Sequence, residues 1–147
     1  MPLTGTYART LDQKQRIAIP KRLREDLGGN EVRAVFVAPG TQQSLSLYTA
    51  AAFSALAQKL QDSPNQRAQA RNYARMFYSQ AERLEIDSQG RIRLPDRLVA
   101  HAGLQHSTVL LGVQDHVEIW DESTWNRFLK LHSEEFDTLA EEAFNGS

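Results

Sequence analysis

The chain contains no cysteine among its 147 residues. That removes disulfides, thiol nucleophiles and cysteine-ligated zinc together, and it fits a reducing cytosol. No apolar run approaches the roughly 18 residues that a membrane span needs. The N-terminal MPLTGTYAR also lacks the apolar stretch of a signal peptide, so a soluble, cytoplasmic protein with no membrane partner is expected. Neither a Gly-rich phosphate loop nor a G-x-S-x-G segment is present, which leaves nucleotide binding and nucleophilic catalysis without support. Four histidines, His101, His106, His116 and His132, show no metal-ligand spacing, so neither a metal nor any other cofactor is expected.

What the chain has is enough apolar content, 41%, to bury one moderate core, and a charge balance that is uneven along its length. The formal net charge of −1 argues against a simple nucleic-acid coat. Residues 1–97, however, carry 15 Lys and Arg against 9 Asp and Glu, whereas residues 98–147 carry 2 against 9. A basic section of this kind can offer phosphates an electrostatic footprint while an acidic tail keeps the whole near neutrality.

The strongest pattern is a repeat. LDQKQRIAIPKRL at residues 11–23 returns 75 positions later as IDSQGRIRLPDRL at residues 86–98. Gly28 matches Gly103, and Leu45-Ser46-Leu47-Tyr48 with Phe53 matches Val117-Glu118-Ile119-Trp120 with Trp125, with the register slipped by three residues. The spacing is too long for a solenoid unit and too short for two ordinary domains, so it reads as duplication of a half-domain. The division falls at residues 1–80, including a bridging helix, and 81–147, ending in an acidic helix.

Each copy reads as strand, tight turn, strand, short helix, hairpin and longer helix. Asp87-Ser88-Gln89-Gly90 forms a turn, Arg91 to Leu94 alternates as a half-buried strand, Pro95 suits the first position of a helix, and Gly103 stops it. Thr108 to Val113 and His116 to Trp120 flank a turn at Gln114-Asp115. Asp121 then caps a helix whose expected buried stripe is Trp125, Phe128, Leu129, Phe136 and Leu139. In the first copy, Val32 to Val37 and Leu45 to Tyr48 surround Pro39-Gly40, Thr49 caps a helix bearing Phe53, Leu56 and Leu60, and Ser63-Pro64 opens a helix to about Gln80. Neither half offers a sufficient core alone. The expected fold is therefore α+β, two β-rich copies packed as an intramolecular pseudo-dimer with both repeated turns on one side and helices at the periphery.

The repeated turn presents D-x-x-x-R. As chemistry, Asp12 and Asp87 could be a carboxylate pair for a small hydrolase, but a lone Asp opening a turn is most often a turn former. The arginines Arg16 and Arg91 say more, because a guanidinium held at a rigid turn can form a two-point hydrogen bond with guanine O6 and N7. Arg9, Lys14, Lys21, Arg22 and Arg24 surround Arg16 in sequence, with Asp12 the single acid in residues 1–24, and Arg93 follows Arg91. Such cations suit phosphate positioning. The bland reading is an Arg that merely pairs with its neighbouring Asp. Arg67, Arg71 and Arg75 form a stripe on the bridging helix, either a solvated face or a phosphate- or subunit-contacting one, with Ala70, Tyr73, Ala74 and Phe77 on its packing side. The matched aromatics Tyr48, Phe53, Trp120 and Trp125 read as core, with base stacking the sharper alternative.

The doubled D-x-x-x-R followed by an apolar strand and Pro, with HAGL at 101–104 and VEIWDESTW at 117–125, resembles the MraZ family within the AbrB-type, swapped-hairpin transcription factors. The likeness runs from about Gly5 to Leu131. It implies a swapped-hairpin barrel and a cytoplasmic, nucleoid-associated regulator with no catalysis. It further implies double-stranded DNA as partner, through short G-containing direct repeats upstream of the protein's own operon in the division and cell wall gene cluster, and ring-shaped homo-oligomers. On this reading Arg16, Lys14, Gln15, Arg91, Arg9, Lys21, Arg22, Arg24 and Arg93 meet DNA, while Asp12, Asp87 and Gly90 shape the turns. The alternative is a ring-forming scaffold or antitoxin-like module whose acidic end, Glu134, Glu135, Asp137, Glu141 and Glu142, recruits another protein; its bland counterpart is a frayed helix end. One departure stands out: first motifs in the family usually carry Gly before the Arg, where this chain has Gln15. If the turn needs a positive φ there, Gln15 costs on the order of 1 kcal/mol relative to Gly. Otherwise the turn takes another shape; Gln15 could also add a contact to adenine.

Overall fold

In the repeated motif, Arg91-Ile92-Arg93 alternates, and the strand pleat sends Ile92 inward to 1% exposure while the arginines stay on the other face. The same rule buries Ile17 between Arg16 and Ala18. The computed structural model describes residues 2–61 and 68–145. In these, the strands are β1 (Thr6–Thr10), β2 (Arg16–Ala18), β3 (Ala34–Pro39), β4 (Leu45–Tyr48), β5 (Glu82–Glu85), β6 (Arg91–Arg93), β7 (Ser107–Val113) and β8 (His116–Asp121). The helices are α1 (Lys21–Leu27), α2 (Ala50–Gln61), α3 (Ala68–Gln80), α4 (Asp96–His101), α5 (Glu122–His132) and α6 (Phe136–Asn145). The fold is α+β, with antiparallel pairing throughout both sheets.

Six strands form one sheet in the order β1-β7-β8-β4-β3-β5, and β2 pairs with β6 as a separate ladder. Each copy therefore gives its first strand to the other. β1 adds to the β7–β8 hairpin, with Tyr7 opposite Leu110, and β5 adds to the β3–β4 hairpin, with Val35 opposite Leu84. Two pairings join a residue to its own counterpart, Ile17 to Ile92 in the ladder and Ser46 to Glu118 in the sheet. A pseudo-twofold axis thus passes through both.

The core lies between the ladder layer and the sheet. Ile17, Ile19, Leu23, Ile92, Leu94 and Leu98 meet Val35, Val37, Leu45, Leu47, Leu110, Val117 and Ile119, and both copies contribute to one continuous cluster. The swap explains why neither copy could bury it alone. On the sheet's other face, α2 and α3 cover β3, where Phe53 stacks on Phe36 at 4.7 Å between ring centroids, and α5 covers β7 and β8. Thr49 Oγ1 accepts from Ala52 N at 3.1 Å and Asp121 accepts from Ser123 N at 3.2 Å, the two expected helix caps.

Several expectations need adjusting. Pro20 and Pro95 stand just before α1 and α4 rather than as their first helical residues, a one-position shift. The buried stripe after Asp121 holds only in part. Trp125 and Phe128 pack on Trp120 at 5.2 and 5.3 Å, but Leu129, Phe136 and Leu139 are 43%, 72% and 47% exposed. A 3-10 turn at Ser133–Glu135 breaks the helical period, so the residues after it no longer line up with Trp125 and Phe128. On α3, Phe77 is buried and Ala70 and Ala74 half-buried, whereas Tyr73 is 48% exposed. The helix's expected opening at Ser63-Pro64 and the first stripe residue, Arg67, lie outside the described residues.

Because Ile17 and Ile92 fill one shared site on the axis, Ile92→Ala should cost about 2–5 kcal/mol. Urea unfolding should also show strong non-additivity with Ile17→Ala.

Candidate nucleic-acid interface

Both repeated turns have the same hydrogen-bond plan. In the first, Asp12 Oδ1 accepts from Lys14 N at 2.9 Å and Arg16 N at 2.8 Å, while Oδ2 accepts from Arg16 Nε at 2.8 Å. In the second, Asp87 Oδ1 accepts from Gln89 N and Arg91 N, both at 2.9 Å, and Oδ2 from Arg91 Nε at 2.9 Å. Backbone bonds close each loop, Gln15 N to Asp12 O at 2.9 Å and Gly90 N to Asp87 O at 3.0 Å. The carboxylates are thus fully engaged. Both lie below the usual carboxylate range, chiefly through the backbone N–H of Arg16 or of Arg91, with the remaining turn N–H and the guanidinium adding to it and partial desolvation opposing it. Groups so held are poor general acids, which weighs against a carboxylate pair for hydrolysis.

The arginine of each turn is fixed through Nε. Among the described residues, the terminal nitrogens of Arg16 and Arg91 have no hydrogen-bond partner, and their side chains are 31% and 27% exposed. The pairing with Asp and an outward-reading role are therefore compatible: the carboxylate takes one edge of the guanidinium and leaves the other. An Arg anchored in this way loses less rotamer freedom on meeting a ligand than a free one.

The ladder brings the turns together as a pair. Antiparallel register places Arg16 opposite Arg93 and Ala18 opposite Arg91, so three arginines share its outer face with one turn at each end. Arg16 and Arg93 are like charges directly opposite one another, which is unfavourable in a sheet, and the Asp12 carboxylate on Arg16 offsets part of that repulsion.

Gln15 keeps the turn shape of the second copy. Its φ is 62°, beside 78° for Gly90, and its carbonyl accepts from Leu94 N as Gly90 O accepts from Ile19 N, both at 2.9 Å. The two cross-copy bonds hold the left-handed conformation in place despite the side chain.

The other predicted cations divide. Lys14 is exposed on turn one. Lys21 and Arg22 are exposed on α1. Arg9 sits on β1, in the large sheet rather than the ladder, half-buried with Nη1 donating to Ala8 O at 2.7 Å. Arg24 belongs beside the second turn and not the first: its Nε donates to Ile19 O at 3.1 Å and its guanidinium covers Gly90, where an added Cβ would meet it at 2.7–3.0 Å. Sequence proximity to Arg16 misled because the swap carries copy one's helix to copy two's turn. Two cations that sequence reasoning did not single out, Arg33 and Arg83, also line the space beside Asp87. Nothing in the motif marks them; only the β3–β5 pairing brings them together.

No His, Cys, Asp and Glu group among the described residues could hold a metal ion. No helix among them is long and apolar enough to cross a membrane.

The family model described as "MraZ protein, putative antitoxin-like" matches twice, at residues 3–76 and 77–146. Relatives named Transcriptional regulator MraZ include that of Ligilactobacillus salivarius, 41% identical over 93% of this chain and 93% of the relative. That of Moorella thermoacetica is 39% identical over the same shares. That of Limosilactobacillus reuteri is 37% identical over 95% of this chain and 96% of its own length.

With the turn shape fixed, Gln15→Gly should raise stability by about 1 kcal/mol in urea titration by relieving the positive φ. Gly90→Ala should lower it, since the new methyl adds strain and displaces Arg24.

Proposed function

This chain belongs to the MraZ family, and on that premise we propose that it is a transcriptional regulator that binds double-stranded DNA in a sequence-dependent way. The observation that carries the reading is the pair of Asp-clamped arginines, Arg16 and Arg91, at the two ends of one outward ladder. Each offers a pre-oriented guanidinium edge suited to guanine O6 and N7, and Arg93 with the exposed Lys14 supplies phosphate contacts around them. The relatives' printed name, a transcriptional regulator, supports the same direction.

The finer partner is short G-containing direct repeats upstream of the protein's own operon, which would place the protein on the nucleoid. Several subunits in a ring would engage successive repeats, so that modest affinity per site becomes tight binding through effective concentration. Support for self-association lies in the second half of the chain. Leu131, Phe136 and Phe144 are 71%, 72% and 90% exposed beside the acidic residues of α6, while α3 exposes Met76 near Arg71 and Arg75. An acidic apolar surface on one subunit and a basic apolar one on the next would make a head-to-tail contact, the kind that closes rings.

Gel shifts on the upstream DNA across a salt series test the DNA reading. Arg16→Ala should cost about 1–3 kcal/mol per engaged site and flatten base preference. Unchanged affinity and preference in both Arg16→Ala and Arg91→Ala would remove the assignment. Removal of residues 133–147 should reduce the particle mass measured by light scattering, together with the apparent DNA affinity; an unchanged mass would place the subunit contact elsewhere.

A further inference from the structure

Beside the second turn lies a cleft of about 490 Å³ that the first turn's own residues do not reproduce. Three guanidinium groups line it. Arg24 and Arg33 come from copy one and Arg83 from copy two, and the swapped pairing assembles them, since Ile86 N donates to Arg33 O at 2.8 Å where β5 runs along β3. The pseudo-symmetric bond, Leu11 N to His106 O at 2.8 Å, identifies the matching positions beside Asp12. There Arg24, Arg33 and Arg83 become Val99, His106 and Ala8. The wall is shaped by Gly29-Asn30 of the 3-10 turn at Gly29–Glu31, an excursion for which copy two has no equivalent between Gly103 and β7.

The charges do not cancel within the cleft. Asp87 also lines it, but both its oxygens are committed to the turn N–H groups and to Arg91. Glu85 reaches Arg83 only at 3.9 Å, with both side chains well exposed, a contact of little strength. Arg24 has only its Nε engaged, by Ile19 O. Arginines gathered around a solvent-open cleft are suited to a tetrahedral dianion, which can accept from two or three guanidinium groups at once.

We propose that this cleft is a phosphate site bearing directly on the second motif turn. The phosphate has two possible sources: the DNA backbone flanking the base pairs that Arg91 meets, or a free phosphorylated small molecule whose binding adjusts the turn through Asp87 and Ser88. In either case the second turn draws two of its three phosphate contacts, Arg24 and Arg33, from the opposite copy, and the two turns are unequal in kind. The DNA arm rests on the reading given above; the free-phosphate arm stands without it.

The test uses the full-length chain and the double variant Arg33→Gln/Arg83→Gln, with Arg127→Gln on α5 as a charge-matched control outside the cleft. DNA affinity is measured from low to moderate salt, and inorganic pyrophosphate binding is measured by calorimetry without DNA. If the source is the backbone, the double variant lowers DNA affinity at least several-fold at low salt and reduces the slope of log affinity against log salt by about one to two units, while the control does neither. If the source is a free phosphate, pyrophosphate binds the wild type and the control, fails to bind the double variant, and shifts wild-type DNA affinity. Wild-type DNA affinity and slope in the double variant, with no pyrophosphate binding to the wild type, overturn the proposal. Should the wild type bind no DNA, the pyrophosphate arm alone decides the cleft and the regulator reading fails separately. Arg83→Lys, which keeps the charge and loses the fork, guards against a folding defect: it should retain the salt slope and lose part of the affinity, and complete insensitivity of both readouts to Arg83→Lys and to the folded double variant counts against the site.

Discussion

The crossing of β2 and β6 is three residue pairs long, and both motif turns depend on it. Ile17 against Ile92 anchors the ladder from beneath, and the carbonyls of Gln15 and Gly90 are each bound by the strand end of the opposite copy. The turns are consequently held in pairs: neither can keep its left-handed residue in place without the other copy's backbone. The arginines on the outer face inherit their spacing from the same three pairs. A shift of one residue in that register would send Ile92 outward and Arg91 or Arg93 into the core, so burial of the two isoleucines and presentation of the arginines are enforced together.

The Asp carboxylate adds a second constraint at smaller scale. Three donors converge on it, two from the backbone and one from the guanidinium, so that the shape of the loop and the direction of the arginine are set by one group. An ion pair exposed to solvent contributes little to stability by itself. Here its effect is orientation, which removes conformational freedom that a ligand would otherwise have to remove.

Much of this was legible in the sequence. Duplication, the alternation around Ile17 and Ile92, the hairpin at Gln114-Asp115 and the caps at Thr49 and Asp121 all follow from local pattern, and local pattern is what propensity and periodicity report. What did not follow was which side chains the swap brings together. Arg24 is eight residues from Arg16 in the chain, yet its guanidinium rests on Gly90, because the β2–β6 crossing binds Ile19 to Gly90 and sets the start of α1 beside the opposite copy's turn. Arg33 and Arg83 were invisible for the same reason. The exposed face of α6 was misread as core because a helical stripe records apolar spacing without recording what, if anything, is there to cover it.

The self-conjugate pairings on the pseudo-axis have their own implication. In an assembly of two identical chains, a residue on a twofold axis must meet itself, and any change there is made twice. Fusion of the copies lifts that restriction: serine now faces glutamate at one crossing, and the positions around the two turns have become arginine on one side and valine, histidine or alanine on the other. A single polypeptide can in this way keep the geometry of a palindromic reader while the two halves acquire different tastes. Its two faces are then no longer interchangeable, and the molecule has a direction that a symmetric pair of chains lacks.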